Sequence, residues 1–516
     1  MDVSFLTDIF GHYTAALPML ILIIGAIIMP AVYMGTKKKA LATAVASVII
    51  LISLVINLCM FYADPAFFAE FGKFGEAGSA YSTLFAYTKF SGLLILLFQI
   101  VAFLAVFVSG SSREVTKLHY GAYLSLMLIA TTGMMFVAGA NDLIGIFVGV
   151  EAVSISSYAL VTMKRKDPRA AEAGVKYVII GGLSTALTIY GISMIYGSLH
   201  TFVIADLGKA LAETGYTWAF VIGVITMIAG YGFKIAAAPF HMWAPDVYEG
   251  SPTPVSMFLA TGSKKMGLAV FFKIFLVMFI GAHVVGGLNI EAVQYVFAII
   301  AAISMTVGNI VAIAQHNIKR MLAYSSIAQA GYILIAMAVM TPYALTGGLF
   351  HMFTHVFMKG GAFLVVGALI CAGVGEKITD YNGLAKRAPV LAFAMMLFLF
   401  SLAGVPPLAG FTSKFVLFSG AIYENGAVSS WIWLAFVAIL NSAISLYYYV
   451  KVIKAMYIEK PNRGAEGKIK VPRAFAVAIL ICAVFVIVLG IYPDIILTPC
   501  HDAVYDGILS GLTQYF

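Results

Sequence analysis

The stretch Gly232-Phe-Lys-Ile-Ala-Ala-Ala-Pro239 puts a lysine and a proline inside an apolar run, 218–240, that is long enough to cross a bilayer. A span needs about 20 such residues. A lysine at the bilayer midplane costs about 2.5 to 3.5 kcal/mol on lenient insertion scales, so an ionisable residue there is read first as functional. The proline removes a backbone hydrogen bond and clashes with the preceding turn, which breaks the helix. A second stretch has the same character: Ala403-Gly-Val-Pro-Pro-Leu-Ala-Gly410, followed by Phe411-Thr-Ser-Lys414. Broken backbone at membrane depth must line a polar cavity, and paired interrupted spans point to the binding site of a transporter.

Outward from these two segments the chain is 62% hydrophobic and 10% charged, with a mean hydropathy of +0.99. Soluble domains lie far from such values. The fold class is therefore all-α and integral to the membrane. Apolar runs fall at 14–34, 40–62, 91–109, 118–137, 143–162, 174–196, 218–240, 255–281, 292–314, 320–340, 345–372, 390–421, 430–457 and 475–491, fourteen spans in all. The first run has neither the basic leader nor the small-residue cleavage site of a signal peptide and is read as a helix.

Basic residues collect in cytoplasmic loops, which tests this count. With the N-terminus outside, inner loops hold clusters such as Lys37, Lys38 and Lys39, Arg113 and Lys117, Lys164, Arg165 and Lys166, Lys319 and Arg320, Lys386 and Arg387, and Arg463, Lys468 and Lys470. The outer side holds only Lys73, Lys89 and Lys209, and six lysines remain within spans: Lys234, Lys264, Lys265, Lys273, Lys359 and Lys414. A missed span would invert every later loop, so both termini are placed outside. The net charge of +8 then reflects anchoring at the inner leaflet and gives no sign of nucleic-acid binding. The four cysteines form no C-x-x-C pair, and neither G-x-G-x-x-G nor a P-loop occurs, so metal, iron-sulfur and nucleotide sites lack their usual ligands.

Other titratable groups lie inside the apolar runs. Glu151 is well within 143–162, where a carboxylate capping a helix end is the competing reading. Lys234 and Lys414 compete with the reading of a snorkelling lysine, against which the neighbouring prolines argue. Lys264 is adjacent to Lys265, and either could point inward; Lys273 lies nearer the outer half of its span and is read as snorkelling. His351, His355 and Lys359 follow at i, i+4 and i+8, roughly on one helix face. Histidine titrates nearest neutral pH, so the stripe suits a proton relay; hydrogen bonding within the bundle core is the alternative. Lys234 and Lys414 stand 180 residues and five spans apart, and an odd offset between alternating spans means inverted topology.

The stretch His241-Met-Trp-Ala-Pro-Asp-Val-Tyr-Glu-Gly-Ser-Pro-Thr-Pro254, then Phe258-Leu-Ala-Thr-Gly-Ser-Lys264, resembles the antiporter-like membrane subunits of respiratory complex I, in particular the N type, and the related archaeal deazaflavin-dependent dehydrogenase. Lys319-Arg-Met-Leu-Ala-Tyr-Ser-Ser-Ile-Ala-Gln-Ala-Gly-Tyr332 and Ser401-Leu-Ala-Gly-Val-Pro-Pro-Leu-Ala-Gly-Phe-Thr-Ser-Lys414 look like further signatures, and the resemblance covers about 118–457. It implies a proton-translocating module of two inverted five-helix repeats with two discontinuous helices: an N-terminal three-helix region 1–117, repeats 118–290 and 291–457, and a cytoplasmic loop with the last helix, 458–516. It implies that Glu151 and Lys234 form a switchable ion pair, and that Lys264 and Lys414 hold and hand on the proton. The His351, His355 and Lys359 stripe departs from the N-type pattern towards the sister subunits. Gln329 stands where many relatives carry histidine, and glutamine can only orient water or a neighbour.

Three functional readings follow. The leading one is a subunit of a redox-driven proton pump, with flavin, iron-sulfur clusters and a quinone-like acceptor in partner subunits and no cofactor in this chain. Its partners would be the other membrane subunits of a large respiratory complex, the lipid bilayer and protons. The second is a subunit of a multi-subunit sodium/proton antiporter; the third is a membrane scaffold whose polar groups serve assembly.

Overall fold

The computed structural model describes residues 14–62, 84–115, 119–164, 167–424, 427–462 and 467–509. Lys73, Lys117, Arg165, Lys166 and Arg463, and with them both chain termini, lie outside the described residues. Thirteen helices there are long and apolar enough to cross a membrane. They are α1 (Leu17–Thr36), α2 (Lys39–Tyr62), α3 (Lys89–Ser109), α4 (Tyr120–Gly139), α5 (Leu143–Val161), α6 (Pro168–Leu199), α8 (Trp218–Ile235), α10 (Thr253–Gly286), α11 (Glu291–Ile313), α12 (Ile318–Val339), α13 (Pro342–Cys371), α16 (Ile432–Tyr457) and α17 (Arg473–Ile491). The short helices α7 (Ile204–Thr214) and α9 (Trp243–Gly250) lie either side of α8. Two half-length helices, α14 (Pro389–Ala403) and α15 (Ala409–Ile422), together make the remaining span read from the sequence, the twelfth in chain order.

Burial sorts these helices from centre to rim. In α12 and α13 94% of the apolar window is inside, against 33% in α1, α6 and α17. A helix apolar all round must be enclosed by others, so the two central helices are those carrying Gln329 and the His351 stripe. Neighbour relations recur five spans apart: α4 packs on α5 and α6 on α8, as α11 packs on α12 and α13 on α15.

Both proline-marked segments break, each with its freed backbone groups satisfied. Helix α8 ends at Ile235, short of the run read from the sequence, because Ala236 turns into the left-handed region at φ 51°. The Phe233 carbonyl accepts from Trp243 Nε1 at 2.8 Å, and the Ala238 N–H donates to Ser304 Oγ at 2.9 Å. Helix α14 ends at Gly404, φ 94°, and the Gly410 N–H donates to Ser401 Oγ at 3.0 Å. These partners replace the intrahelical bonds that lipid could not.

Helix α10 carries two π-helical turns, Leu259–Ser263 and Phe272–Leu276, on either side of Lys264–Phe271. No local pattern in residues 253–286 marks them. Such turns widen a helix locally and are frequent at functional sites.

Candidate functional site

Glu151 projects from α5 and Lys234 from the last turn of α8. They do not form a direct ion pair. Lys234 Nζ donates to Ser154 Oγ at 3.0 Å, one turn along α5 from Glu151, and Thr185 Oγ1 of α6 donates to Glu151 Oε1 at 2.8 Å. Glu151, Ser154, Thr185, Tyr231 and Lys234 line one narrow cavity of about 10 Å³ for water centres, room for about one molecule. The Tyr231 hydroxyl there is buried with no hydrogen-bond partner among the described residues. The carboxylate and the ammonium thus face one small polar space, each held by a hydroxyl group.

Lys234 continues inward onto α10 through a close helix contact. A Cβ at Gly267 would lie 3.3 Å from Lys234 Cγ and 2.7 Å from Ile235 Cγ2. One turn earlier, Lys264 and Lys265 are both buried, and neither Nζ has a hydrogen-bond partner among the described residues. Lys264 lies over the Tyr248 ring at 5.9 Å. His355 is also fully buried with both ring nitrogens unpartnered, within electrostatic reach of Lys264, Lys265 and Lys359. Four buried nitrogens without a hydrogen-bond partner among the described residues lie in one region, whereas buried polar groups are ordinarily hydrogen-bonded. Both adjacent lysines are thus inside the bundle. Lys273, read as snorkelling, instead donates to the Ala138 carbonyl at 2.8 Å.

From His355 the line forks. Lys359 Nζ donates to Ser325 Oγ at 2.5 Å and to the Leu322 carbonyl at 3.1 Å, and Ser325 in turn meets the Tyr449 hydroxyl. The His351 ring, 6.3 Å from that of His355, bonds Ser413 Oγ through Nδ1 and Gln329 Oε1 through Nε2, each at 2.8 Å. Gln329 Nε2 donates to the Leu402 carbonyl at 3.1 Å, so its Oε1 is the end facing His351. That orientation puts the proton of the neutral ring on Nε2, with the Ser413 hydroxyl donating to Nδ1. The same Leu402 carbonyl accepts from Lys414 Nζ at 2.8 Å, and Lys414 further reaches the Ala403 carbonyl at 3.2 Å and Ser442 Oγ at 2.9 Å. The break in the twelfth span therefore supplies the carbonyls that hold Lys414, whose ammonium also lies 4.8 Å from the centre of the Tyr332 ring.

At the lysine- and arginine-rich face the structure gathers a charged cluster that the sequence reading did not assemble. Glu114 pairs with Lys164 at 2.5 Å and Lys319 at 3.8 Å, and Lys319 reaches Glu376 at 3.5 Å. Arg320 bonds Asp246 at 2.5 Å and Glu249 at 3.0 Å, and Lys176 meets Asp246 at 2.6 Å. Burial pushes the Glu114 carboxyl up, but the Lys319 and Lys164 ammonium groups outweigh it and hold it at about 2. Asp246 is likewise held below its usual range, with burial opposing and the bonds from Lys176 and Arg320 prevailing. These residues come from six separate segments: the loop after α3, the α5–α6 connection, the body of α6, α9, the start of α12 and the segment beyond α13. Asp246, Glu249, Lys319 and Arg320 lay inside quoted motifs, but nothing in their spacing names Glu114 or Glu376 as partners.

A family model described as NADH:quinone oxidoreductase/Mrp antiporter, TM, matches residues 140–445. The chain belongs to that family. It is 41% identical over 432 residues to F(420)H(2) dehydrogenase subunit N of Methanosarcina mazei, covering 81% of this chain and 85% of that one. It is also 41% identical to NADH-quinone oxidoreductase subunit N of Desulforamulus reducens, over 79% and 82% of the two chains. Among solved structures, a chain of respiratory complex I from Thermus thermophilus matches with a TM-score of 0.73 at 28% identity, covering 93% of this chain and 98% of that one. A chain of the Mrp complex from Dietzia sp. shares the fold, with a TM-score of 0.83 at 20% identity over 97% and 98%. The chain is thus a multi-pass membrane protein of the complex I family, and the seam described above runs through the matched region.

Proposed function

We propose that this chain carries protons across the membrane as the antiporter-like N subunit of a redox-driven pump, without redox chemistry of its own. One observation carries the reading: buried titratable groups run from the first broken helix to the second, through Lys234, Lys264, His355 and His351 to Lys414. A scaffold has no need of unpartnered ammonium groups in its core, each of which is costly to bury.

Glu151 and Lys234 form the switch. A buried lysine's affinity for its proton falls as water is withdrawn and rises as a carboxylate approaches. The two groups already face one cavity, each on a hydroxyl tether, so a small shift of α5 against α8 exchanges hydroxyl contacts for a direct ion pair. With the pair closed, Lys234 keeps its proton; with it open, the proton passes towards Lys264. Lys264 or Lys265, then His355 and His351, relay it to Lys414, and Gln329 orients the last link. Lys359 reaches from this line towards the charged cluster and connects it with the basic face.

In this reading the repeats occupy 118–290 and 291–457, between the three-helix region 1–117 and the closing segment 458–516. The basic face is cytoplasmic, both termini are outside, and the membrane is the cell or plasma membrane. Flavin, iron-sulfur clusters and the quinone-like acceptor belong to partner subunits, whose redox change moves the Glu151–Lys234 pair. The relatives at 41% identity are subunits of redox complexes, which favours the pump over a sodium/proton antiporter. Lys234→Ala in the assembled complex should abolish proton uptake into vesicles, with sodium making no difference. Normal uptake in that variant would overturn the assignment.

A further inference from the structure

At the basic face, the ends of α3 and α13 and the segments leading into α14 and α17 border an open cavity of about 470 Å³ that lies apart from the proton seam; Arg113, Lys468 and Lys470 on its wall are exposed. Arg113, Arg387, Lys468 and Lys470 line it, and none of its described lining residues is a carboxylate. The neighbouring Glu114 is turned away into the charged cluster, where Lys164, Lys319 and the Thr253 N–H occupy it. Arg387 Nε is buried with no hydrogen-bond partner among the described residues.

The wall is built, not incidental. The Ile469 N–H donates to the Arg387 carbonyl at 3.1 Å, and the Arg113 N–H donates to Cys371 Sγ at 3.5 Å, tying the loops together around the space. Four cations about one void repel each other unless an anion joins them, and planar guanidinium groups favour phosphate oxygens.

The position selects the source of that phosphate. The cavity sits where membrane-crossing helices end. Helix α14 exposes Val390 and Phe393 just beyond Arg387, and α17 exposes Val477, Leu480 and Val484 just beyond Lys470. Cationic lining above lipid-facing apolar flanks matches an anionic headgroup with its acyl chains alongside. We propose that this cavity binds the phosphodiester headgroup of an anionic phospholipid, a site independent of the proton path.

Native mass spectrometry of the full-length protein, released from phosphatidylcholine nanodiscs containing phosphatidylglycerol, reads the retained lipid directly. Retention of phosphatidylglycerol over phosphatidylcholine is expected. It should fall about fivefold for each charge removed, hence about 25-fold in Arg113→Gln/Arg387→Gln. Arg387→Lys should keep the preference. Lys468→Gln/Lys470→Gln, which alters the segment ahead of α17 and no helix interior, should show the same loss and serves should the arginine pair fail to fold. Equal retention of both lipids, or undiminished retention in the lysine pair, would overturn the proposal. So would displacement of the lipid by inorganic phosphate alone, which would make a free anion the occupant.

Discussion

At the residue scale, the hydroxyl and amide groups beside the ionisable ones decide how the seam behaves. Ser154 is the hydrogen-bond partner of Lys234, and a bond to a charged group contributes about 1.5 to 3 kcal/mol. Ser154→Ala should therefore slow proton uptake by about tenfold or more while the quantity of assembled complex stays unchanged; unchanged uptake would show that the bond is idle. Gln329 joins His351 to the carbonyl that Lys414 also uses. Gln329→Leu removes both ends of that link and should cost about tenfold in uptake, whereas Gln329→His, which can bridge the same groups, should retain most of it. These two side chains do not titrate at physiological pH. Their importance follows from which charges they touch.

At the element scale, the break between α14 and α15 is what delivers two free carbonyls to Lys414. Gly404 makes that break at φ 94°, and a Cβ there would stand 3.3 Å from Lys414 Cδ. Left-handed backbone costs a residue with a side chain about 1 to 2 kcal/mol. Gly404→Ala should thus lower the unfolding temperature in detergent and also impair uptake. Gly287, φ 65°, has the same left-handed backbone demand and open space around it. Gly287→Ala should show a similar loss of stability with uptake intact. Should the two variants pump alike, the Gly404 turn is structural only. The π-turns of α10 belong to the same scale, because they flank the turns that bear Lys264 and Lys265 and no local signal in the sequence predicts them.

At the scale of the whole molecule, the charged cluster ties the loop after α3, the α5–α6 connection, α6, α9, the start of α12 and the segment beyond α13 into one face. Removing one member of a buried pair leaves its partner uncompensated, and Glu114→Gln should cost about 3 kcal/mol at neutral pH. The pH dependence has a definite sign. The carboxyl is held at about 2, below its ordinary 4.5, so its contribution is complete above about pH 5 and is lost as pH falls from 4.5 towards 2. Thermal unfolding of the native and Glu114→Gln proteins should differ by a constant amount from pH 5 to 8 and converge in acid. A difference that persists at pH 2 would mean that the carboxylate charge is not what stabilises this face.

The chain by itself determined the membrane class, the fourteen crossings, the two broken segments and the ionisable residues Glu151, Lys234, Lys264, Lys414, His351, His355 and Lys359. Each of these is legible because hydrocarbon penalises charge and unpaired backbone wherever they occur, so an exception to apolarity stands out in one dimension. Only the tertiary structure decided that Glu151 and Lys234 are separated by hydroxyl tethers, that both Lys264 and Lys265 are interior, and that Gln329 and a freed carbonyl connect His351 to Lys414. It alone assembled the Glu114 cluster and the cationic cavity at the ends of α3 and α13. Partners brought together from distant spans leave no periodic trace in sequence, because their contact depends on how whole helices pack and not on the spacing of residues along any one of them.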